Sequence, residues 1–310
     1  MKRTPFSACA VACAAALAVA SCLSPPCAGA QVDSSLRVLI VTAHADDNAA
    51  FAATIYKITH DIGGKVDLVV ITNGEGGFKY STLAERYYGL ELTDPAIGRQ
   101  YLPGIRKKEA IAGGKIVGIR NYFFLDQPDR DFTLNVDSIF RLVWDVASVK
   151  ARLRQIMMNE KYDYIFGLLP TEGTHGGHKG ATILALETAT DLPVSRRPVV
   201  LAESDSTKGE AATFRFTGLK EYPLTAVKSG RPSFHFDRTR KFGYRDALDY
   251  KIIVNWLIAE HKSQGTMQLL MNSGDVENFW FFDANDSATI PRTQLLFDRL
   301  NVLHFKKRTY

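Results

Sequence analysis

Five residues in two short stretches could together hold a metal ion and move a proton. They are His44, Asp46 and Asp47 in "VTAHADDNAAF" (41 to 51), and His175 and His178 in "TEGTHGGHKG" (171 to 180). The first stretch leaves an apolar run, where a buried carboxylate without a partner is costly, so its charges require compensation. Two imidazoles and one carboxylate, with a position left open for water, form a recurrent catalytic zinc arrangement. Such an ion brings the pKa of bound water to about 7 and polarises a carbonyl, while a free carboxylate beside it takes the water's proton. The adjacent aspartates would then have separate tasks, one as ligand and one as base. Taken singly, each stretch has a plainer reading: an Asp helix cap beside a surface histidine, and a Gly-rich turn with an incidental histidine pair.

Combining the two stretches requires a fold that brings distant parts of the chain together. Apolar runs of strand length lie at 37–43, 65–72, 121–126, 162–170 and 197–204, with helical patterns at 47–61, 104–118, 146–160 and 178–190 between them. This alternation predicts an α/β fold, Rossmann-like and doubly wound, with a mostly parallel sheet covered on both faces. A strand order of 3-2-1-4-5 sets the first and fourth strands side by side at the switch point, where ligands bind beyond the strands' carboxyl ends. Both polar clusters would then face one crevice. Residues 74–103 read as a long loop of the kind that forms lids or substrate walls. Its Tyr80, Tyr87, Tyr88 and Tyr101 could stack on a sugar or simply pack. "GEGG" (74–77) lacks the features of a nucleotide-phosphate loop and reads as a turn allowing close substrate approach. Beyond residue 205, "TFRFTGL", "PSFHFDRT", a helix over 244–262 and "NFWFFDA" read as an α+β C-terminal extension packed on the same sheet.

At 310 residues, 46% hydrophobic and 23% charged, the chain can bury one large core or two modest ones, which excludes general disorder. It opens "MKRTPFSACAVACAAALAVASCLSPPCAGAQ", a basic start followed by small apolar residues, as in a secretory signal. The apolar part is shorter than the roughly 20 residues that span a membrane. Residues 1–30 are therefore expected to be a signal segment, and the protein to be exported: periplasmic, secreted or membrane-anchored. "VASC" would place a lipid on Cys22, the only membrane contact expected, whereas "AGA" would place cleavage before Gln31. The formal charge of +5 falls to +3 without Lys2 and Arg3, too mild to call for nucleic acid. All four cysteines lie within the first 30 residues, so a metal in the body of the chain must be held by His, Asp or Glu.

The ordered set "AHADDN", "TNGEGG", "RKKEAIAGGKIVGI", "FFLDQPD", "HGGHKGA" and "AEHKSQ" resembles the PIG-L/LmbE-like zinc N-deacetylases over residues 36–265. That resemblance implies a Rossmann-like deacetylase domain, leaving 266–310 as the extension. It implies a Zn2+ cofactor on His44, Asp47 and His178, Asp46 as general base, and His175 as stabiliser of the oxyanion or proton donor to the amine. Arg106 and Glu109 match a charged pair that shapes the site; Asn48, Asp126 and His261 are further candidates around it. The implied substrate is the acetamide of an N-acetylglucosamine-type sugar or glycan. The alternatives are a catalytically silent sugar binder of the same fold and an amidase for another acyl amide. Two positions depart from the family's usual His-Pro-Asp-Asp-Glu: Ala45 replaces proline, and Asn48 replaces a glutamate whose charge would support the metal. His60 is expected to be a structural helix-end residue and His235 a strand-face residue; His304 carries no signal.

Overall fold

Strand β1 (Arg37–Thr42) is apolar along both faces: Val38 and Ile40 enter one core, Leu39 and Val41 the other. The same division recurs in β2 (Lys65–Thr72), β4 (Tyr164–Leu168) and β5 (Val199–Ser206), so helices must cover both sides of the sheet. The computed structural model describes residues 35–130, 132–210, 214–227 and 229–302; the expected signal segment over 1–30, every cysteine and His304 lie outside them. With β3 (Ile119–Gln127), β6 (Phe234–Asp237) and β9 (Val276–Phe281), the strands form one seven-stranded sheet of order β3-β2-β1-β4-β5-β9-β6. Strands β1 to β5 run parallel, as expected, and β1 pairs directly with β4. A two-stranded hairpin, β7 (Lys241–Phe242) and β8 (Leu248–Asp249), lies apart from this sheet.

Helices α1 (Ala52–Tyr56), α3 (Pro95–Val117), α7 (Lys251–Glu260) and α9 (Ile290–Leu300), the last two separated by the short α8 (Gly265–Gln268), contribute Ile55, Ala110, Leu257 and Leu296 to one core. Helices α4 (Val136–Leu142), α5 (Val146–Asn159) and α6 (Gly176–Thr190) cover the other face with Ile139, Leu153 and Leu184. The C-terminal strand β9 is inserted antiparallel between β5 and β6. Its Phe279 ring packs 5.1 Å from Phe166 on β4 and 4.9 Å from Phe297 on α9, tying the extension into the first core.

Several expected boundaries are corrected. Residues 74–103 are largely helical: a 3-10 segment over Glu75–Tyr80, then α2 (Thr82–Tyr88), then the first part of α3. Asp94 caps α3, accepting from the backbone N–H groups of Ala96 (2.9 Å) and Ile97 (3.0 Å), with Pro95 in the first turn, so this Asp-Pro pair is the true start. Pro103, the last residue of the expected loop, lies inside the helix. The helix expected from 244 begins at Lys251, because Arg245 and Asp246 take left-handed backbone angles and Leu248–Asp249 joins the hairpin. In "TFRFTGL" the described residues 214–219 form no strand, only an isolated bridge from Leu219 to Tyr222.

Candidate metal centre and active site

Beyond Thr42 the chain turns sharply before a 3-10 segment, Asp47–Phe51. The turn is pinned from outside by Thr72, whose hydroxyl donates to the Ala43 carbonyl (2.8 Å). It is closed from inside by Asp47, whose Oδ2 accepts from the N–H groups of Ala43 (3.1 Å) and His44 (2.8 Å). That leaves Asp47 Oδ1 aimed outward, 3.1 Å from His178 Nε2 and 3.7 Å from His44 Nδ1. His178 occupies the first turn of α6, beyond the carboxyl end of β4, and its Nε2 lies 2.9 Å from His44 Nδ1. Ligands about 2.1 Å from a tetrahedral zinc ion are roughly 3.4 Å apart, so atoms separated by 2.9, 3.1 and 3.7 Å would accommodate a divalent cation with small side-chain shifts. His175, the residue before α6, stacks on His44 with ring centroids 5.3 Å apart and on Phe132 at 5.1 Å. The three imidazoles offer donor atoms within 4.8 Å of one another, but the Asp47 set is the tighter one.

The charges in this cluster are set by burial and by neighbours. Burial alone would raise the Asp47 carboxyl, but His178 and His44 outweigh it and hold the group well below the usual carboxylate range. For His44, burial opposes protonation, yet Asp129 and Asp47 raise it well above an ordinary imidazole. Two facing ring nitrogens beside an ionised carboxylate hold a positive charge where a cation would sit. Asp46 is pushed up to about 6, first by burial and then by the adjacent Asp47. His175 is pushed down to about 4, first by burial and then by His44 and His178.

A carboxylate and an amide not singled out in the sequence complete the arrangement. Asp129 is buried, with Oδ1 3.6 Å from His44 Nε2, the ring atom turned away from the ligand cluster. This is how an outer carboxylate fixes the ring orientation of a metal-bound histidine. Gln264, turned with its amide nitrogen towards Asp46, donates to both carboxylate oxygens at 2.9 Å and accepts from His261 Nδ1 at 3.2 Å. His261 is thus near the site but reaches it through Gln264. It is fully buried and pushed down to about 3 by burial and by Arg106, hence neutral.

Arg106 and Glu109, one turn apart on α3, meet through Ser263. Glu109 accepts from the Ser263 N–H (2.8 Å) and hydroxyl (2.7 Å), while Arg106 donates to the Ser263 carbonyl (3.2 Å). The same guanidinium donates to the carbonyls of Gly74 and Gly77, so it fixes the segment that walls the site. A Cβ at Gly77 would lie 2.8 Å from Arg106 Nη1, so this glycine makes room for the arginine, and together with Gly76 it also lines the cavity, which leaves the backbone there open to close approach. Asp126 is the expected residue that does not join: its side chain is half-exposed, its φ is 53°, and it pairs with Lys107. Asn48 is fully buried, and neither amide atom has a hydrogen-bond partner among the described residues.

Above these groups opens a cavity of about 410 Å³, with Lys79, Tyr80, Arg130, Phe132, Met267 and Leu270 around it. Of the loop tyrosines only Tyr80 lines it; Tyr88 is spent on a hydrogen bond to Glu109 (2.8 Å). His60 stacks on Tyr56 and His235 is an exposed residue of β6, both structural as expected.

Residues 39–189 match the family model described as PIG-L: GlcNAc-PI de-N-acetylase. This segment is a domain of that family. The matched PIG-L segment contains His44, Asp46, Asp47, Arg106, Glu109, Asp129, His175 and His178, while His261 and Gln264 lie beyond it. The family makes this a hydrolytic deacetylase of amino-sugar amides. No curated protein matches the chain in sequence. Among solved structures, an N,N'-diacetylchitobiose deacetylase from Pyrococcus horikoshii is 17% identical, covering 78% of this chain and 82% of its own, at a TM-score of 0.42. A deacetylase of teicoplanin biosynthesis is 18% identical over 81% and 99% of the two chains, TM-score 0.49. A 4-carboxy-2-hydroxymuconate hydratase from Pseudomonas putida is 14% identical over 79% and 95%, TM-score 0.49.

Proposed function

We propose that this protein is a zinc-dependent amidohydrolase that removes the acyl group from the nitrogen of a glucosamine-type sugar or glycoconjugate. The observation that carries the reading is the convergence of His44 Nδ1, Asp47 Oδ1 and His178 Nε2 beside Asp46, a carboxyl pushed up to about 6. When bound by those three ligands, the cation activates a water and polarises the acyl carbonyl. Asp46 accepts the water's proton, and Gln264 orients its carboxylate for this. His175 faces the same cavity and donates to the oxygen that gains charge as the carbonyl becomes tetrahedral. The departing nitrogen takes its proton from Asp46. Asp129 keeps His44 in its ligating orientation, and Arg106 holds the glycine segment that walls the cavity.

Export follows from the signal-like segment, so the proposed substrate is an extracytoplasmic or environmental glycan. Among the described residues, no helix is long and apolar enough to cross a membrane. The test is free-amine release from a panel of N-acylated glucosaminides by zinc-loaded protein, with Asp46→Asn in parallel. Release that disappears in the variant is expected. Saturable sugar binding with no release from any compound would instead establish the silent binder.

A further inference from the structure

Two cavities meet at the edge formed by Asp47 and His178. The larger is the one described above. The smaller, about 190 Å³, shares Asp47, His178, Met267 and Leu270 with it. Its own walls are mostly aliphatic: Ala49 and Ala50 after the ligand turn, Leu168 at the end of β4, and Val254 and Ile258 on α7. The polar groups there are Asp205, Arg238 and Ser273. Arg238 is already committed to Glu277 (2.9 Å) and to the carbonyls of Ala49 (3.2 Å) and Ala50 (2.8 Å), so the pocket presents no unsatisfied guanidinium to an anionic ligand.

An amide whose carbonyl sits at the Asp47–His178 edge must send its two substituents in different directions. The nitrogen carries the sugar, which suits the larger cavity with Lys79, Tyr80 and Arg130 at its rim. The acyl carbon is then directed to the aliphatic side. A methyl group would leave most of 190 Å³ without apolar contact, and poor filling of an apolar cavity forfeits both burial and dispersion. We propose that this second pocket receives a fatty-acyl chain, so that the preferred substrate is an amino sugar carrying an N-acyl group longer than acetyl. The inference rests on the amidohydrolase reading above. In the step itself the amide C–N bond breaks, the water oxygen bonds to the acyl carbon, and the products are a fatty carboxylate and the free sugar amine, which takes up the proton.

The test compares N-acetyl-, N-butyryl-, N-hexanoyl- and N-octanoyl-glucosamine with the zinc-loaded protein, following amine release. Because each buried methylene contributes about a fourfold gain, kcat/KM should climb by about that factor per added CH2 until the pocket is full. Val254→Phe and, separately, Ser273→Phe should abolish the gain while leaving acetyl hydrolysis at the wild-type rate; two variants guard against one failing to fold. Octanoate should inhibit the wild type more strongly than acetate, and this difference should vanish in both variants. Release from the acetyl compound alone, or equal rates along the series, would overturn the pocket assignment and leave the amidohydrolase reading intact. No release from any compound would overturn that reading, and this inference with it.

Discussion

Asp46 and Asp47 are adjacent, the first half-buried and the second buried, yet their surroundings drive them to opposite protonation behaviour. Asp47 has two backbone N–H donors on one oxygen and two imidazoles facing the other, so it stays ionised and suits a ligand. Asp46 is raised to about 6, first by burial and then by the negative charge of Asp47, so its carboxyl takes up a proton more readily and suits a base. Asp46→Asn should therefore lower kcat by about 10²- to 10⁴-fold, the range of general-base contributions, while zinc content measured by elemental analysis stays at wild type. Loss of zinc from that variant would make Asp46 a ligand instead. Asp129→Asn should act in the complementary way, weakening zinc affinity by about 10- to 100-fold in a chelator competition because His44 loses its outer carboxylate. Unchanged affinity would sink that role. The sequence displayed all five central residues, because metal ligands and bases come from few residue types. It did not separate Asp126 from Asp129, which share the run "FFLDQPD" and differ in which way a turn points them. Gln264 was hidden for a different reason: an amide has no charge to compensate and gives no signal until it is seen against Asp46.

At the scale of elements, the site depends on where a short 3-10 segment ends and α1 begins. Glu277 on β9 accepts from the N–H groups of Ala53 (3.0 Å) and Thr54 (2.9 Å), and Arg238, next to β6, covers the carbonyls of Ala49 and Ala50. The two side chains also bond each other at 2.9 Å, with both buried. The C-terminal extension thereby holds the helical run that carries Asp46 and Asp47. Removing one partner of a buried pair leaves the other charge uncompensated, at a cost of about 3–5 kcal/mol. Glu277→Ala should show a loss of that size in urea unfolding. A loss below about 1 kcal/mol would mean the helix junction is held by packing alone. The parallel strands were legible because each is an apolar run bounded by turns, and their order followed from the doubly wound rule. The insertion of β9 between β5 and β6 was not, because antiparallel pairing is set by which aromatic faces meet, and "NFWFFDA" and "PSFHFDRT" carry no mark of their partners.

At the scale of the whole molecule, the central sheet buries a carboxyl that its neighbours only partly satisfy. Glu203 on β5 is buried, and its Oε1 has no hydrogen-bond partner among the described residues. Burial, reinforced by Asp205 and Glu277 and only partly offset by Arg238, raises its carboxyl well above the ordinary range. Since Glu203 sits inside the central sheet, only global unfolding returns it to water, and its titration is linked to the stability of the entire fold. Below the ordinary glutamate pKa of about 4.3 both states hold the proton, and the group has no effect. As pH rises past that value the unfolded chain releases the proton while the folded chain retains it, so stability falls with pH until the folded group also ionises. Glu203→Gln keeps the shape and removes the titration. The variant should gain on the wild type as pH rises above about 5 and until the folded carboxyl ionises, with Tm moving on the order of 2–4 °C for each kcal/mol. Thermal unfolding of both proteins, stripped of metal so that the His44 cluster contributes equally to each, would measure the gap at each pH. A gap that stays constant as pH rises would show that Glu203 is ionised in the native sheet, balanced by Arg238.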